Sequence, residues 1–319
     1  MSQTTVSRVL HDHPRVKAET RERVLRVLRE MDYAPDGLAR AMVTRKTGIV
    51  GVVVEDITNP FYPEIVGAIS DELTAAGQRL MLWNSREAGE QGAIEAIRQR
   101  LVDGVIVATA TPGSTVLQEA VRGSSPVVLV NRRVEGIECD RVTTDNVRGG
   151  RLVAEYFAAH GHERVAVISG LREASTAVER EAGFREGAEA LGIEPTDALS
   201  QPGYYSQERG HKAMTRLMSL PEPPTAVFCV NDLMAFGAIN AARSLGLGVP
   251  EDVWVAGFDD IKMASWEVFD LTTVFQPVEE MAREAVRLML DRLEDPDRPP
   301  EHLRLDRARL VVRGSTAHK

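Results

Sequence analysis

Short apolar runs alternate with amphipathic segments along most of this sequence. Seven runs have the β-branched bias of buried strands: GIVGVVV at 48–54, RLMLWN at 79–84, GVIVATA at 104–110, PVVLV at 126–130, RVAVIS at 164–169, TAVFCV at 225–230 and VWVAGF at 253–258. Helical spacing of apolar residues recurs between them, at 61–77, 90–101, 114–122, 146–160, 176–192, 206–219 and 231–245. This alternation predicts an open α/β fold with parallel sheets.

The strand–helix units are expected to form two lobes rather than one continuous sheet. We place the boundary near Gly161, where AAHGHERV separates a helix from the next strand. An amphipathic helix over about 278–293 leads to one or two final strands within 303–316. The expected N-terminal lobe comprises about 48–161 and 275–297, and the C-terminal lobe comprises about 162–274 and 298–313.

Residues 1–47 have a different pattern, which is that of three short helices. Ser2 is placed to cap a helix through residue 10, whose apolar face carries Val6, Val9 and Leu10. A second helix is predicted over about 18–31, and a short, weak helix over 36–42 follows Pro35. The face of the first helix opposite its apolar residues carries Gln3, Thr4, Ser7 and Arg8.

The charge of the chain is unevenly distributed. Ten basic and six acidic side chains give residues 1–47 a net charge of +4, whereas 28 basic and 41 acidic side chains give the remainder −13. A small basic segment on a large acidic body indicates polyanion binding. The solvated face of an ordinary basic helix gives the same count, so charge alone leaves both interpretations open.

Several classes of protein are disfavoured by the sequence. It has neither the apolar run of a membrane helix nor the apolar stretch and cleavage site of a signal peptide. Cys139 and Cys229 stand alone, and the histidines do not show ligand spacing. No GxSxG, P-loop or HExxH motif occurs. We therefore expect a cytoplasmic protein that is not an enzyme, has no catalytic residues, and needs no metal, cofactor or membrane.

A set of motifs in fixed order resembles the lactose-repressor/galactose-repressor (LacI/GalR) family across nearly the whole chain. They are TTVSRVL, VKAETRERVLRVLREMDYAPDGLARAM, TGIVGVVVEDITNPFY, VDGVIV, VNDLMAFGAI, VPEDVWVAGFDD, LTTVFQPVEEM and LVVRGST. The resemblance implies a truncated helix-turn-helix head over 1–34, a hinge over 35–47 and a two-lobed, periplasmic-binding-protein-like core over 48–319. The family has a complete helix before the one that starts at Ser2, and its absence here puts DNA binding by this chain in doubt.

The resemblance implies DNA contacts for the head and hinge. Gln3, Thr4, Ser7 and Arg8 match the recognition-helix face, where Gln pairs with adenine and Arg with guanine. Met42 matches the hinge residue that wedges into the minor groove. The alternatives are a solvated helix face for the first set and packing against the core for Met42.

The resemblance also implies a small-molecule site between the lobes. Its polar contacts would be Asn131, Arg180, Asn231 and Asp259, and its apolar and aromatic walls would be Phe61, Tyr62 and Tyr205. Asn131 stands where many members have aspartate. Arg180 could instead be a surface cation, Asp259 a turn cap, and Asn231 the N-cap of the helix that follows.

The function that these features imply is a ligand-responsive transcriptional repressor. A sugar or sugar derivative would close the lobes and control binding to operator DNA. Two half-sites imply a homodimer, and the C-terminus offers no heptad segment for a tetramer. The alternative is a cytoplasmic small-molecule sensor without competent DNA binding.

Overall fold

The computed structural model describes residues 3–10, 15–31, 46–85, 89–193 and 196–316. Its contacts divide the chain into two compact units, Met1–Thr47 and Gly48–Lys319, called here the head and the core. Within the described ranges, no helix combines the length and the apolar character needed to cross a membrane.

The described part of the head is a helix pair. Helix α1 (Gln3–Leu10) packs against α2 (Ala18–Glu30). Val9 of α1 and Val24 of α2 are both buried, so each helix turns its apolar face inward. Arg8 is exposed on α1. The short helix predicted over 36–42 lies outside the described residues.

The N-terminal lobe of the core is built on a six-stranded, all-parallel sheet. Its strands are β1 (Ile49–Val54), β2 (Arg79–Asn84), β3 (Gly104–Val107), β4 (Val127–Val130), β5 (Asp140–Thr144) and β11 (His302–Leu305), in the order β11-β5-β4-β3-β1-β2. The helices of this lobe are α3 (Phe61–Ala75), α4 (Gly89–Arg98), α5 (Thr115–Arg122) and α10 (Val278–Glu294). Helix α10 returns from far along the chain to pack on α3, β4 and β5.

The C-terminal lobe repeats this plan with one antiparallel edge. Its strands are β6 (Val165–Ser169), β7 (Ser200–Pro202), β8 (Ala226–Cys229), β9 (Trp254–Asp259), β10 (Thr272–Phe275) and β12 (Leu310–Val311), in the order β12-β10-β9-β8-β6-β7, with β12 antiparallel to β10. Its helices are α6 (Asn146–Ala159), α7 (Ser175–Ala190), α8 (Gln207–Met218) and α9 (Asp232–Ser244), with short 3₁₀ turns at Asp197–Leu199 and Lys262–Ser265. The predicted α/β class with two parallel-dominated lobes is confirmed.

The chain changes lobe one helix earlier than the sequence predicts. Helix α6 packs against α7 and β10 of the C-terminal lobe, so the first crossing follows β5, at Asp145. The predicted boundary near Gly161 is wrong because the spacing of apolar residues in α6 is the same whichever sheet it covers. The assignment of 298–313 wholly to the C-terminal lobe is also wrong, since β11 pairs with β5 of the first sheet.

Glycines bring α6 and α7 unusually close together. A Cβ added at Gly150 of α6 would lie 2.0 Å from the carbonyl oxygen of Arg180. A Cβ added at Gly183 of α7 would lie 2.0 Å from the carbonyl oxygen of Val147. Because only glycine permits this approach, the two residues fix the position of α7 and therefore of the Arg180 side chain.

Candidate ligand-binding cleft

Arg180 is the centre of a buried polar network in the C-terminal lobe. Its Nε donates to Asn146 Oδ1 at 3.0 Å, and its Nη1 donates to the Val230 carbonyl at 2.8 Å and to Asp259 Oδ1 at 3.0 Å. The guanidinium carbon lies 3.7 Å from the centroid of the Phe258 ring. With a side chain only 2 % exposed, Arg180 is not the surface cation that its helix pattern also permitted.

Asp259 connects this network to the segments in which the chain passes from one lobe to the other. It ends β9 with φ at 130°, a backbone conformation that non-glycine residues rarely adopt. Gln276 donates from Nε2 to Asp259 Oδ1 at 2.7 Å, and its Oε1 accepts from the Thr144 hydroxyl at 3.1 Å. Thr144 and Gln276 stand where the chain passes between lobes, so the side chain of Asp259 is connected to the crossing segments.

Burial shifts the ionisation of two neighbouring carboxyl groups. It raises the pKa of Asp259 to about 6, although the Arg180 guanidinium opposes the shift. Burial and the Asp259 carboxylate raise the pKa of Asp232 to about 8, against hydrogen bonds from the Thr273 hydroxyl and the Ile261 amide. Asp259 keeps its charge more readily because it has a cation beside it and Asp232 has none within hydrogen-bonding distance among the described residues.

Asn231 has the structural role that its sequence position also permitted. Its Oδ1 accepts from the amide of Met234 at 3.0 Å and caps α9. The preceding Val230 carbonyl accepts from Arg180, which places Asn231 one residue from the network. The side chain is buried.

A second buried arginine, Arg132, lies at the carboxyl end of β4. Its Nη1 donates to the Thr109 carbonyl at 3.1 Å, and its Nη2 donates to the Tyr62 hydroxyl at 3.4 Å. Its guanidinium carbon lies 5.6 Å from the centroid of the Tyr205 ring. Tyr62 belongs to the N-terminal lobe and Tyr205 to the C-terminal lobe, so Arg132 stands between the two walls of the cleft.

Two of the three predicted aromatic residues, Tyr62 and Tyr205, lie beside Arg132. Phe61 and Tyr62 begin α3, with ring centroids 5.6 Å apart in an edge-on arrangement. Tyr205 is held at φ 58° and shares a 2.8 Å hydrogen bond with the Thr176 hydroxyl. Burial raises the pKa of Tyr62 to about 12, against the attraction of Arg132, so its phenol stays protonated.

Three polar atoms in these walls have no hydrogen-bond partner among the described residues. They are Nε of Arg132, Nη2 of Arg180 and Oδ1 of Asn131, and each is buried. Asn131 adopts φ 72° at the end of β4, next to Arg132. Buried polar groups are almost always satisfied, so these two donors and one acceptor are suited to a bound polar molecule.

Sequence reasoning missed Arg132, Asn146 and Gln276. Arg132 follows Asn131 directly after a buried parallel strand, and ligands bind at the carboxyl ends of such strands. That position was a usable signal for Arg132. Asn146 and Gln276 reach the network only through the tertiary fold, and their local sequence gives no indication of it.

The described residues include only part of the predicted DNA-contacting set. Gln3, Thr4, Ser7 and Arg8 all fall within α1, and Arg8 is exposed as a base-contacting residue must be. The side chains of Gln3, Thr4 and Ser7, and the whole of Met42, lie outside the described residues.

Comparisons with known proteins identify both units. Residues 1–36 match the family model for bacterial regulatory proteins of the lacI family, and residues 154–316 match a periplasmic binding protein-like domain. The chain is 33 % identical to the HTH-type transcriptional repressor CytR of Escherichia coli over 324 residues, covering 99 % of this chain and 93 % of CytR.

Solved structures agree with this match. A complex of the transcriptional regulator CelR with cellobiose has a TM-score of 0.78 and 31 % identity, covering 99 % of this chain and 96 % of that one. A LacI family regulator from Enterococcus faecium with bound ribose has a TM-score of 0.75 and 30 % identity, covering 84 % and 98 %. These relatives are transcriptional regulators and not enzymes, and the chain belongs to the lacI family of bacterial regulatory proteins.

Proposed function

We propose that this protein is a transcriptional repressor whose core binds a sugar or sugar derivative and thereby controls binding of the head to operator DNA. The observation that carries the proposal is the buried network of Arg180 and Asp259, together with the three buried polar atoms of the two walls that have no partner within the described part of the chain. Two relatives, with cellobiose and ribose in their complexes, support a carbohydrate. Asn131, Arg180 and Asp259 would hold its hydroxyl groups, and Phe61, Tyr62 and Tyr205 would form its walls.

Control of DNA binding would act through the relative position of the lobes. Arg133 of the N-terminal lobe donates to Glu179 Oε1 of the C-terminal lobe at 2.6 Å, and Glu64 Oε1 accepts from the Lys262 amide at 2.9 Å. A molecule in the cleft adds contacts to both walls and stabilises one arrangement of the lobes over others. In a homodimer that shift would change how two heads reach two half-sites.

The test is operator binding with and without sugar. Operator duplexes are first selected from a random library, and their affinity is then measured by fluorescence anisotropy at one stated salt concentration. We expect a sugar that raises the melting temperature of the wild type to change its operator affinity as well. In Arg180→Ala and Asp259→Ala that response is expected to vanish, because each leaves polar groups of the sugar without a partner in the desolvated cleft.

The matched control is Arg185→Ala on the same helix. Arg185 forms an ion pair with Glu181, with 3.0 Å between Nε and Oε1, and takes no part in the Arg180 network. Its loss should therefore leave the sugar response intact. A wild-type response in Arg180→Ala would refute the assignment of the cleft. Failure to select any DNA would refute the proposed repressor function and favour a small-molecule sensor that does not bind DNA.

A further inference from the structure

The two buried arginines of the cleft differ in how their charge is balanced. Arg180 has the Asp259 carboxylate at 3.0 Å, and both side chains are nearly inaccessible to solvent. Among the described residues, the carboxylate within 4.0 Å of Arg132 is that of Glu55, 3.9 Å away and 44 % exposed. A distant, half-exposed carboxylate neutralises a buried guanidinium poorly, because water screens it.

The other partners of Arg132 are neutral. The Thr109 carbonyl and the Tyr62 hydroxyl accept from its two terminal nitrogens, and the Tyr205 ring offers only its π face. The phenol of Tyr62 does not supply a negative charge near neutral pH, since its pKa is raised. The Nε of Arg132 donates to no atom of the described residues. Buried charges in proteins are normally paired, so this arrangement lacks an anion.

The position of Arg132 shows where that anion would come from. Its guanidinium lies between Tyr62 of one lobe and Tyr205 of the other. The preceding residue, Asn131, has a buried Oδ1 with no partner among the described residues. A molecule held between the lobes therefore meets Arg132 directly. The Arg180–Asp259 pair of the other wall is already neutral as a unit, which suits it to hydroxyl groups rather than to a net charge.

We propose that the small molecule bound in the cleft carries an anionic oxygen group, a phosphate or a carboxylate, on its polyhydroxylated body, and that Arg132 binds that group. This inference rests on the proposed function and narrows its ligand class. Guanidinium groups bind such oxygens through charge-assisted hydrogen bonds, which are about twice as strong as neutral ones. A neutral sugar in the same place would leave the Arg132 charge buried without its anion.

The experiment compares charged and neutral sugars in matched sets by titration calorimetry at constant ionic strength. One set is glucose, glucose 6-phosphate and glucuronate, and another is ribose, ribose 5-phosphate and ribonate. For the wild type we expect a charged member to bind at least about tenfold more tightly than its neutral parent, which is the worth of one charged hydrogen bond. Whether the phosphates or the acids show the preference identifies the anionic group.

Two variants assign that preference to Arg132. Arg132→Met should abolish the preference for charged members while the protein stays folded, because an apolar side chain replaces a buried cation. Arg132→Lys should restore part of it. Arg122→Met removes an exposed positive charge from the same lobe and should leave the preference unchanged. A merely structural role for Arg132 would lower all affinities together and would leave the ratio of charged to neutral affinities as it was.

Inorganic phosphate supplies a probe that does not depend on the choice of sugar. The wild type should gain more thermal stability than Arg132→Met when phosphate replaces chloride at equal ionic strength. The inference is overturned if neutral sugars bind as tightly as charged ones, or if no sugar binds and phosphate stabilises both proteins equally. If neutral sugars bind as tightly as charged ones and their binding is lost in Arg180→Ala, the proposed function stands and only the proposal of an anionic ligand is refuted.

Discussion

The two walls of the cleft each bury an arginine but surround it differently. The C-terminal wall holds Arg180 between Asn146, Val230 and Asp259, so its charge is matched within the protein. The N-terminal wall gives Arg132 a carbonyl and a phenol instead. The ion pair of Arg180 and Asp259 holds its wall rigid and offers hydrogen bonds to hydroxyl groups. The buried charge of Arg132 has no close carboxylate, so the stability of its wall depends on what is bound in the cleft. The same residue type therefore has different consequences in the two lobes.

The largest expected effect comes from removing the carboxylate of the matched wall. Asp259→Ala leaves Arg180 buried without its anion and should lower the free energy of unfolding by about 3–5 kcal/mol. Urea unfolding of the core measures this loss. Arg180→Met/Asp259→Leu, which removes both charges, should recover most of the stability. If the double variant is as unstable as the single one, packing and not charge holds this wall together.

The next effect tests the close helix contact behind Arg180. Gly150→Ala places a methyl group against the backbone of α7 and should cost about 1–3 kcal/mol through overpacking. The matched control in the N-terminal lobe is Gly67→Ala, where an added Cβ meets nothing within 4 Å. That substitution should stabilise α3 by about 0.5–1 kcal/mol. Opposite signs in the two lobes are the expected result in thermal and urea unfolding.

A buried carboxyl group of the C-terminal lobe is expected to make stability depend on pH. Asp232 has its pKa raised to about 8 in the C-terminal lobe, so the folded state keeps a proton that the unfolded state loses above about pH 4. The free energy of unfolding should therefore fall as pH rises toward 8, by at most about 1.4 kcal/mol per pH unit from this residue. Asp232→Asn should remove that slope.

The comparison between wild type and Asp232→Asn cancels the titrating groups that do not interact with Asp232; Asp259, which does, is not among them. His162, whose pKa is lowered by burial, gives a slope of the opposite sign in both proteins. The exposed Asp297→Asn serves as the control for loss of a carboxylate. Parallel stability profiles for wild type and Asp232→Asn between about pH 5 and about pH 8 would contradict the assignment.

The smallest effect is expected at the unmatched wall. Glu55→Gln removes the half-exposed carboxylate 3.9 Å from Arg132 and should change stability by less than about 0.5 kcal/mol. Urea unfolding measures the change beside that of Asp259→Ala. A loss as large as that of Asp259→Ala would show that Glu55 neutralises Arg132, and the contrast between the walls would disappear.

The regular elements could be predicted from sequence wherever apolar residues dominate. The helices α3 to α10 and the strands β1 to β4, β6, β8 and β9 were predicted in this way. Strand β10 (TTVF) was not among the predicted runs. Strand β5 was missed because its buried Asp140 pairs with Arg292 at 2.9 Å, a partner far along the chain. Its alternating exposure and polar residues resemble a loop until α10 is in place. Strand β7 was missed because its three residues, SQP, have no apolar pattern.

The site could be predicted in part. Arg180, Asp259 and the aromatic residues were identified through family resemblance. The structure places Asp259 beside Arg180, and Tyr62 and Tyr205 beside Arg132, and the binding roles of these residues stay predictions. The sequence Asn-Arg-Arg at 131–133 does not indicate which arginine turns inward. Arg132 is buried and Arg133 half-exposed because β4 ends between two lobes, a fact of tertiary structure.

The return of α10 and β11 to the first sheet affects how the chain must fold during its synthesis. The ribosome completes β1 to β5 and then the greater part of the other lobe before it makes the helix that covers them. At about 5–20 residues per second, that delay is on the order of ten seconds. During this time the apolar side chains of β3 and β4 face water without α10, which exposes the nascent chain to aggregation. The N-terminal lobe, although begun first, cannot finish folding until α10 and β11 have been made.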